Sequence, residues 1–213
     1  HFDQMNFGYA SNAVAGFITE RLEFNNSPWD RFLAGNNRAL TEIQLNGAKD
    51  FMSAKCSICH NGPDLSDNLF HNVAVVQVGP GEGDGTGHDD FGRMRVSGNA
   101  AEQYAFRTAP LRNIELSAPY GHDGAYATLR AFVDHYSESD VKLHNFDPTQ
   151  LEPLLRSTVL PTADQILATR DPLLAGVFFQ PQTIAEGTAF MKPLTEPGPP
   201  TLGPPPPSRG PSW

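Results

Sequence analysis

The segment Cys56-Ser57-Ile58-Cys59-His60 determines the fold that this sequence predicts. Two thiols three positions apart, followed directly by an imidazole, form the pattern through which a c-type heme is attached covalently. Within one turn of backbone, both thiols reach the vinyl groups of one porphyrin, and the histidine lies beneath the iron as proximal ligand. The pattern therefore predicts one covalent heme c, attached through Cys56 and Cys59 and ligated by His60.

Two other kinds of site use the same pair of cysteines. A thioredoxin-like dithiol lies next to a strand in a βαβ pattern, and no such pattern surrounds this motif. A structural zinc ion takes four ligands, and no second Cys/His pair follows at usable spacing. The chain contains only two cysteines, so none is left for a disulfide or for a second heme. The motif favours heme over both alternatives.

Composition excludes several kinds of partner. The 213 residues suffice for one domain, or for one domain with an appendage. The net charge of −9 argues against nucleic acid or an anionic membrane surface as partner. No apolar run approaches the length of a membrane span, and no signal peptide is recognisable. Because heme c is attached outside the cytoplasm, we expect a periplasmic or otherwise exported bacterial protein.

The hydrophobic pattern predicts an all-α, cytochrome c-like fold with long irregular loops. An apolar stripe predicts a helix over 5–24, and residues 25–37 have the composition of a connection. A capping box at Thr41-x-x-Gln44 begins the helix that ends at the heme motif. Gly47 inside this helix indicates the close approach of a crossing helix or of the porphyrin edge. Later capping signals predict three more helices, beginning at Thr128, Thr162 and Thr183, of which the last ends at Pro193.

The remaining segments predict loops and a tail. Residues 69–78 form a strand or an extended loop, and the glycine- and acid-rich segment 79–92 favours a solvated loop over a calcium site. Eight prolines within 197–213 predict a disordered or polyproline-type tail. We therefore expect a leading helix and connection over 1–35, a cytochrome c-like heme domain over 36–196, and the tail.

Several segments resemble the bacterial diheme cytochrome c peroxidase/MauG family. The most specific is Phe106-Arg-Thr-Ala-Pro-Leu-Arg-Asn113, which continues into Ser117-Ala-Pro-Tyr-Gly-His-Asp-Gly124. Further matches are Asn26–Gly35, Phe70–Asn72, Asp90–Arg93 and Ala189–Pro197. The resemblance covers roughly residues 10–197 and implies redox chemistry linked to hydrogen peroxide.

Members of this family carry two hemes, whereas this chain contains one attachment motif. By position it resembles the second, electron-transfer heme, so the peroxide-binding heme would lie before His1. The resemblance implies a redox partner protein or a second heme domain as partner. The alternative is a monoheme electron-transfer cytochrome subunit without peroxidase activity of its own. A third hypothesis is a heme protein that docks a partner through its Pro-rich tail.

The sixth ligand of the iron is the least determined part of the predicted site. From the helix pattern alone, Tyr136 is better explained as a core tyrosine. MauG-type members have a ligating tyrosine fourteen residues after the histidine that matches His122, and that position here is Tyr136. A phenolate favours ferric iron, which points to MauG-like oxidation over simple electron relay. The other candidate ligands are Met94, His71, His88, His122, His144 and His135, the last expected to point toward polar positions.

Two further sets of residues are candidates for binding. Arg107 and Arg112 are expected either to pair with the heme propionates, which suit guanidinium groups, or to form surface salt bridges. In the family, a calcium ion between the hemes takes backbone carbonyls from the segment that matches Ser117 and Pro119. The resemblance therefore implies that these two carbonyls bind calcium, with the remaining ligand on the absent domain.

Overall fold

The computed structural model describes residues 6–21, 25–81 and 89–197. In this part of the chain the fold is mostly helical, with long irregular connections. In chain order the helices are α1 (Phe7–Arg21), α2 (Pro28–Leu33), α3 (Glu42–Ser53), α4 (Cys56–Cys59), α5 (Met94–Ser97), α6 (Leu129–His135), α7 (Ser139–His144), α8 (Ala163–Ala168) and α9 (Pro181–Met191). None of the described helices is both long enough and apolar enough to cross a bilayer.

The short strands β1 (Phe70–His71) and β2 (Phe106–Arg107) pair antiparallel, with Phe70 opposite Arg107. Only β1 lies in the segment 69–78, so most of that segment is extended loop. The helical class with long loops is confirmed at this coarse level, and the two-residue ladder is an addition to it. The ladder places Phe106 and Arg107 beside the segment that follows the heme motif.

Helices α3 and α9 cross at Gly47, as the glycine within a helix predicted. A Cβ atom at this position would overlap the backbone carbonyl oxygen of Glu186 and lie 2.9 Å from Cβ of Phe190. The neighbour is thus a crossing helix and not the porphyrin edge. Because the two backbones approach so closely, Phe190 is completely buried, and its ring lies 5.2 Å from that of Phe51. Burial of one such side chain contributes about 1.5–3 kcal/mol.

Two clusters of buried apolar side chains form the core. The first cluster includes Ala74, Val75, Tyr104, Tyr120, Tyr126, Leu143 and Ile166. The second cluster consists of Trp29, Ala48, Phe51, Leu65, Leu111, Phe190, Met191 and Leu194. Since Val75 and Tyr120 from the first cluster and Phe51 and Met191 from the second all line one cavity, that cavity is where both parts of the core meet.

Helix boundaries follow local capping chemistry, with one correction to the predicted connection 25–37. That segment contains α2, because Ser27 and Asp30 form a capping box around Pro28 at the first helical position. Other predicted starts also have structural counterparts. The Gln44 side chain accepts a hydrogen bond from the backbone N–H of Thr41 at 2.9 Å, and Thr128 Oγ1 accepts one from the backbone N–H of Ala131 at 3.1 Å.

Two predicted capping boxes do not form as expected. Thr162 lies at the N-cap of α8 without a capping bond from its side chain. Helix α9 begins at Pro181, before Thr183, because proline at the first helical position is already set for the helix. Its predicted end is close to the observed one, since Pro193 lies in the 3₁₀ turn that follows Met191.

Helix α1 corresponds to the predicted leading helix over 5–24, whose two ends lie outside the described residues. Its apolar stripe is exposed rather than packed, with Val14, Phe17 and Ile18 each about half exposed or more. Residues 82–88 of the predicted solvated loop and 198–213 of the predicted tail also lie outside the described residues. The division into 1–35, 36–196 and 197–213 stays a prediction.

Candidate functional site

A cavity of about 380 Å³ lies against the heme motif. Its walls are largely apolar, as is usual for sites that enclose a planar organic group. The apolar walls come from side chains on helices, loops and the β2 strand, and they include Phe51, Val73, Val75, Phe106, Leu111, Leu129, Phe132, Val133, Leu173, Val177, Phe179 and Met191. The predicted attachment residues Cys56 and Cys59 and the predicted iron ligands His60 and Tyr136 also line it, and their polar atoms are the centre of the site.

Cys56 and Cys59 begin and end α4, so one helical turn brings both thiols to the cavity wall. The turn follows Lys55, whose φ of 68° reverses the chain after α3. Both cysteines are free and partly buried. Burial raises the pKa of each thiol to about 11. Reactive dithiols have lowered pKa values, so the environment argues against a thioredoxin-like role.

His60 follows directly and presents one ring nitrogen to the site. Its Nδ1 lies 2.9 Å from the carbonyl oxygen of Leu65. Because a carbonyl only accepts, Nδ1 carries the proton and Nε2 keeps its lone pair. Burial lowers the pKa of His60, which also favours the neutral ring. Among the described residues no group bonds to Nε2, so this atom is available as a metal ligand.

Tyr136 lies at the C-terminal end of α6 and lines the same cavity. Its ring contacts that of Phe132, with 5.4 Å between the centroids. Within the described part of the chain, no group forms a hydrogen bond with its hydroxyl. Burial, and secondarily the nearby thiols of Cys56 and Cys59, raises the pKa of Tyr136 well above its usual value. The side chain is partly buried and its hydroxyl is accessible from the cavity, and it forms a phenolate here only if a cation compensates the charge.

These donors fit a covalent heme. The site offers two thiols at heme-attachment spacing, an imidazole with a free Nε2, and an unpaired phenol in an apolar cavity, which together match the ligand types that hold heme iron. A structural zinc site with four protein ligands has a different composition. The structure thus brings together Cys56, Cys59, His60 and Tyr136, whose roles toward the heme stay predictions at this point.

His135, the neighbour of Tyr136, requires a correction. It does not point toward polar positions but is completely buried, because it lies on the core-facing side of α6. Its Nε2 donates to the carbonyl oxygen of Val73 at 2.8 Å, and its Nδ1 accepts from the hydroxyl of Tyr126 at 2.6 Å. Since both nitrogens are used within the protein, His135 is a core histidine and not a ligand.

The two predicted propionate-binding arginines differ in position. Arg107 lines the cavity and also donates to the Asn68 side chain at 2.9 Å. Arg112 does not line it; its guanidinium forms an ion pair with Asp30 at 2.7 Å and donates to the carbonyl oxygen of Pro63 at 2.8 Å. The expected propionate contact of Arg112 stays a prediction, although the structure shows its guanidinium engaged elsewhere.

Some of the remaining predicted residues line the cavity and others do not. Ser117 and Pro119 both line the cavity, and their expected calcium contact through backbone carbonyls stays a prediction. Met94 begins α5 and His144 ends α7, and neither lines the cavity. His88 lies outside the described residues. The other two candidate histidines, His71 and His122, are in the cavity wall.

His71 connects two parts of the cavity rim. Its Nε2 lies 3.0 Å from the Asp67 carboxylate, and its Nδ1 lies 2.6 Å from that of Asp171. Although burial opposes it, hydrogen bonding to these two carboxylates raises the pKa of His71. Ligand atoms of Cys59, Asp67 and His71 lie within 4.8 Å of one another, a spacing that a metal ion could use. Both nitrogens of His71 are already occupied, however, so the group is better described as a hydrogen-bonded clamp.

Sequence reasoning missed this clamp and the wall it supports. The segment from Asp171 to Phe179 supplies four apolar lining residues, namely Leu173, Leu174, Val177 and Phe179. Its backbone is tied to the end of α6 through the N–H of Phe179, which donates to Ser137 Oγ at 2.8 Å. The segment lies more than a hundred residues after the heme motif, and its short apolar runs have no period that would identify it as a wall.

The sequence of the chain is similar to those of known cytochrome c peroxidases and MauG proteins. The chain is 36% identical over 132 residues to cytochrome c551 peroxidase of Nitrosomonas europaea, over 62% of this chain and 38% of that protein. It is 32% identical over 135 residues to the methylamine utilization protein MauG of Methylorubrum extorquens, over 63% of this chain and 36% of that protein. These matches make the chain similar to bacterial cytochrome c peroxidases and MauG proteins.

A crystal structure agrees with the sequence relatives. A MauG-like protein associated with microbial copper homeostasis has a TM-score of 0.60 and 25% identity, over 82% of this chain and 53% of that one. No model of a protein family matches the chain. The matched part of the chain spans less than half the length of the two sequence relatives, and about half that of the solved structure.

Proposed function

Because the chain belongs to the bacterial diheme cytochrome c peroxidase/MauG family, we propose that it is the electron-transfer heme domain of an oxidoreductase that reacts with hydrogen peroxide. The observation that supports this proposal is the convergence of Cys56, Cys59, His60 and Tyr136 on one apolar cavity. When bound, the heme supplies a one-electron redox centre. The residues of the chain attach it, orient it and keep water away from it.

Each of the four residues has a distinct part in holding the heme. Cys56 and Cys59 form the thioether links, and their raised thiol pKa values keep both sulfurs protonated until the links form. The hydrogen bond from His60 Nδ1 to the Leu65 carbonyl fixes the ring, and Nε2 would be the atom that binds the iron of the heme. Such a bond also makes the ligating nitrogen more basic.

Tyr136 is our proposed sixth ligand. Its hydroxyl has no partner among the described residues, and its pKa is raised by burial, so the proton leaves only when a cation offsets the new negative charge. A metal ion supplies that charge and lowers the pKa of a bound group. A hard anionic phenolate stabilises ferric iron, which lowers the reduction potential. This favours MauG-like oxidation over electron relay from high-potential donors.

The partners and location follow from the same chemistry. The heme exchanges electrons with a redox partner protein or with a second heme domain, and the net charge of −9 favours a basic surface on a separate donor. Arg107, in the cavity wall, pairs with a heme propionate. Residues 197–213 are a candidate docking segment. Because heme c is attached outside the cytoplasm, the proposed location is the bacterial periplasm.

Heme counting tests the proposal. The protein is expressed together with a cytochrome c maturation system, and its pyridine hemochrome spectrum and intact mass are measured. We expect one thioether-linked heme c on this chain, and none when Cys56 and Cys59 are both replaced by serine. Colourless protein with two free thiols under these conditions would overturn the proposal.

Tyr136→Phe tests the sixth ligand without removing the heme. We expect the low-spin ferric spectrum of the variant to change and the reduction potential to rise, because the only anionic ligand is lost. Tyr104→Phe is the matched control, since the hydroxyl of Tyr104 contacts Gln165 at 3.4 Å and the residue does not line the cavity. Identical ferric spectra for wild type and Tyr136→Phe would remove Tyr136 from the iron.

A monoheme electron-transfer cytochrome is the second candidate, because the chain has only one attachment motif. The two candidates differ in their reaction with hydrogen peroxide when a second heme domain or partner is supplied. Peroxide-dependent turnover only in the combined sample supports the first candidate. Reversible reduction without turnover in any combination supports the second.

A further inference from the structure

Tyr126 is a buried tyrosine close to the heme cavity that has no part in the proposed ligand set. Its ring centroid lies 5.3 Å from that of Phe132. Phe132 lines the cavity, and its ring centroid lies 5.4 Å from that of Tyr136. A single aromatic ring therefore separates Tyr126 from the proposed iron ligand, and an electron can cross that distance readily.

The hydroxyl of Tyr126 forms its hydrogen bond with a base. It donates to Nδ1 of His135, with 2.6 Å between the oxygen and the nitrogen. The other side of the imidazole fixes the direction of this bond. The carbonyl oxygen of Val73, 2.8 Å from Nε2, only accepts, so the proton of the neutral ring lies on Nε2 and the lone pair on Nδ1. A base within hydrogen-bond reach of a proton is the arrangement in which histidine accepts protons.

Tyr120 is a second tyrosine of the same region, and it has no such base. It lines the cavity itself, but its hydroxyl contacts the backbone carbonyl oxygens of Ile114 and Glu115 at 3.1 and 3.3 Å. A carbonyl accepts a hydrogen bond but is too weak a base to take the proton. Removal of an electron from Tyr120 would therefore leave a charged ring in apolar surroundings, which is costly. Tyr126 avoids this cost because its proton can leave together with the electron.

We propose that Tyr126 is a redox-active residue that stores one oxidising equivalent of the heme as a neutral tyrosyl radical. This inference rests on the proposed function, in which hydrogen peroxide supplies the oxidant. One electron passes from the ring of Tyr126 to the oxidised heme, which is thereby reduced by one equivalent, and the hydroxyl proton moves to Nδ1 of His135. The imidazole then carries two N–H groups, of which one donates to the tyrosyl oxygen and the other to the Val73 carbonyl.

The surroundings of the pair suit this role. Burial raises the pKa of Tyr126, so the hydroxyl keeps its proton until the ring is oxidised. The cation formed on His135 has a hydrogen-bond acceptor on each side, which offsets part of the cost of burying a charge. Because Tyr126 is buried, the radical is also kept away from reductants in the solvent, and the electron returns to it through the heme.

Electron paramagnetic resonance of the heme-loaded protein tests the proposal, in a Tyr9→Phe background. This background removes a phenol that is 62% exposed and would react directly with a soluble oxidant. Photogenerated ruthenium(III) tris-bipyridine is the one-electron oxidant, and spectra are recorded in frozen solution with unlabelled and with ring-deuterated tyrosine. We expect a tyrosyl radical whose hyperfine structure narrows on ring deuteration. In D₂O it should show coupling to an exchangeable deuteron, because His135 donates to its oxygen.

Three further substitutions identify the tyrosine that carries the radical. Tyr126→Phe should lose the signal, whereas Tyr120→Phe and Tyr104→Phe should retain it. Tyr104 is the matched control, because it is also buried and its hydroxyl contacts the Gln165 side chain, which is not a base. Persistence of the signal in Tyr126→Phe, or its loss in Tyr120→Phe, would overturn the inference and leave the proposed function intact.

Absence of covalent heme from the wild-type protein would instead overturn the proposed function. Should Tyr126→Phe fail to fold, the heme-loaded Tyr9→Phe protein still decides. A sample without any tyrosyl radical, or with a radical that lacks the exchangeable deuteron coupling, excludes the pair of Tyr126 and His135 as the storage site.

Discussion

At the scale of single residues, the Asp30 carboxylate caps the start of α2 and also pairs with Arg112. It accepts hydrogen bonds from the backbone N–H and the hydroxyl of Ser27 at the start of α2, and it pairs with Arg112 at 2.7 Å. Burial acts to raise its pKa, but the bonds from Ser27 and Arg112 outweigh it, so the pKa of Asp30 lies below its usual value. Its contribution to stability is therefore present above pH 3.8 and is lost as the pH falls further.

We expect Asp30→Asn to lower the free energy of unfolding by about 1–3 kcal/mol at pH 7, because a mostly buried guanidinium loses its charged partner. Urea unfolding at pH 7 and at pH 3 measures the effect, which should shrink at the lower pH. Asp164→Asn is the control: the Asp164 side chain is 96% exposed, so it should change stability by less than about 0.5 kcal/mol. Equal losses for both variants would contradict the assignment.

At the scale of elements, the crossing of α3 and α9 depends on the absence of one side chain. We expect Gly47→Ala to destabilise the protein by about 1–3 kcal/mol, because the new methyl group overlaps the Glu186 carbonyl. Gly16→Ala is the matched control in α1, where a Cβ would meet nothing within 4 Å. It should stabilise by up to about 1 kcal/mol through helix propensity. Thermal unfolding measures both, and a stabilising Gly47→Ala would exclude the close crossing.

The capping of α6 is the second element-scale prediction, because Tyr136 directly follows this helix. Thr128→Ala removes the bond that Thr128 Oγ1 accepts from Ala131, and it should cost about 1 kcal/mol. Thr162→Ala in α8 removes no capping bond and should cost less. Urea midpoints decide between them, and a larger loss at Thr162 would show that the cap of α6 is not the stabilising feature.

At the scale of the whole molecule, the cavity between the two clusters links folding to heme attachment. The apolar side chains that line this cavity of about 380 Å³ have no partner atoms on one side unless the heme fills it, and such contacts are what stabilise a close-packed core. We therefore expect the same chain made without heme attachment to lack a cooperative thermal transition. A sharp transition at the holoprotein's temperature, followed by circular dichroism, would contradict this.

Features that depend on residues close together in the chain are predictable from the sequence, and contacts between residues far apart in the chain are not. The α4 turn, the cap at Thr128 and the helical class depend on neighbours within a few positions, so the sequence predicts them. The ion pair of Arg112 joins residues 82 positions apart, and the burial of His135 depends on Val73, 62 positions away. Neither of these contacts can be predicted from a local sequence pattern. The short capping box that starts α2 lies in a segment rich in turn residues, which favours a connection over a helix.

The clamp at His71 has a consequence for how the molecule opens. A neutral imidazole has a single N–H, so holding Asp67 and Asp171 together requires the cationic ring. When His71 loses its second proton, it keeps a hydrogen bond to only one of the two carboxylates. Fewer hydrogen bonds then connect the segment from Asp171 to Phe179 with the rest of the clamp. The contact between β1 and the segment from Asp171 to Phe179 is accordingly where we expect solvent to enter the proposed heme cavity first.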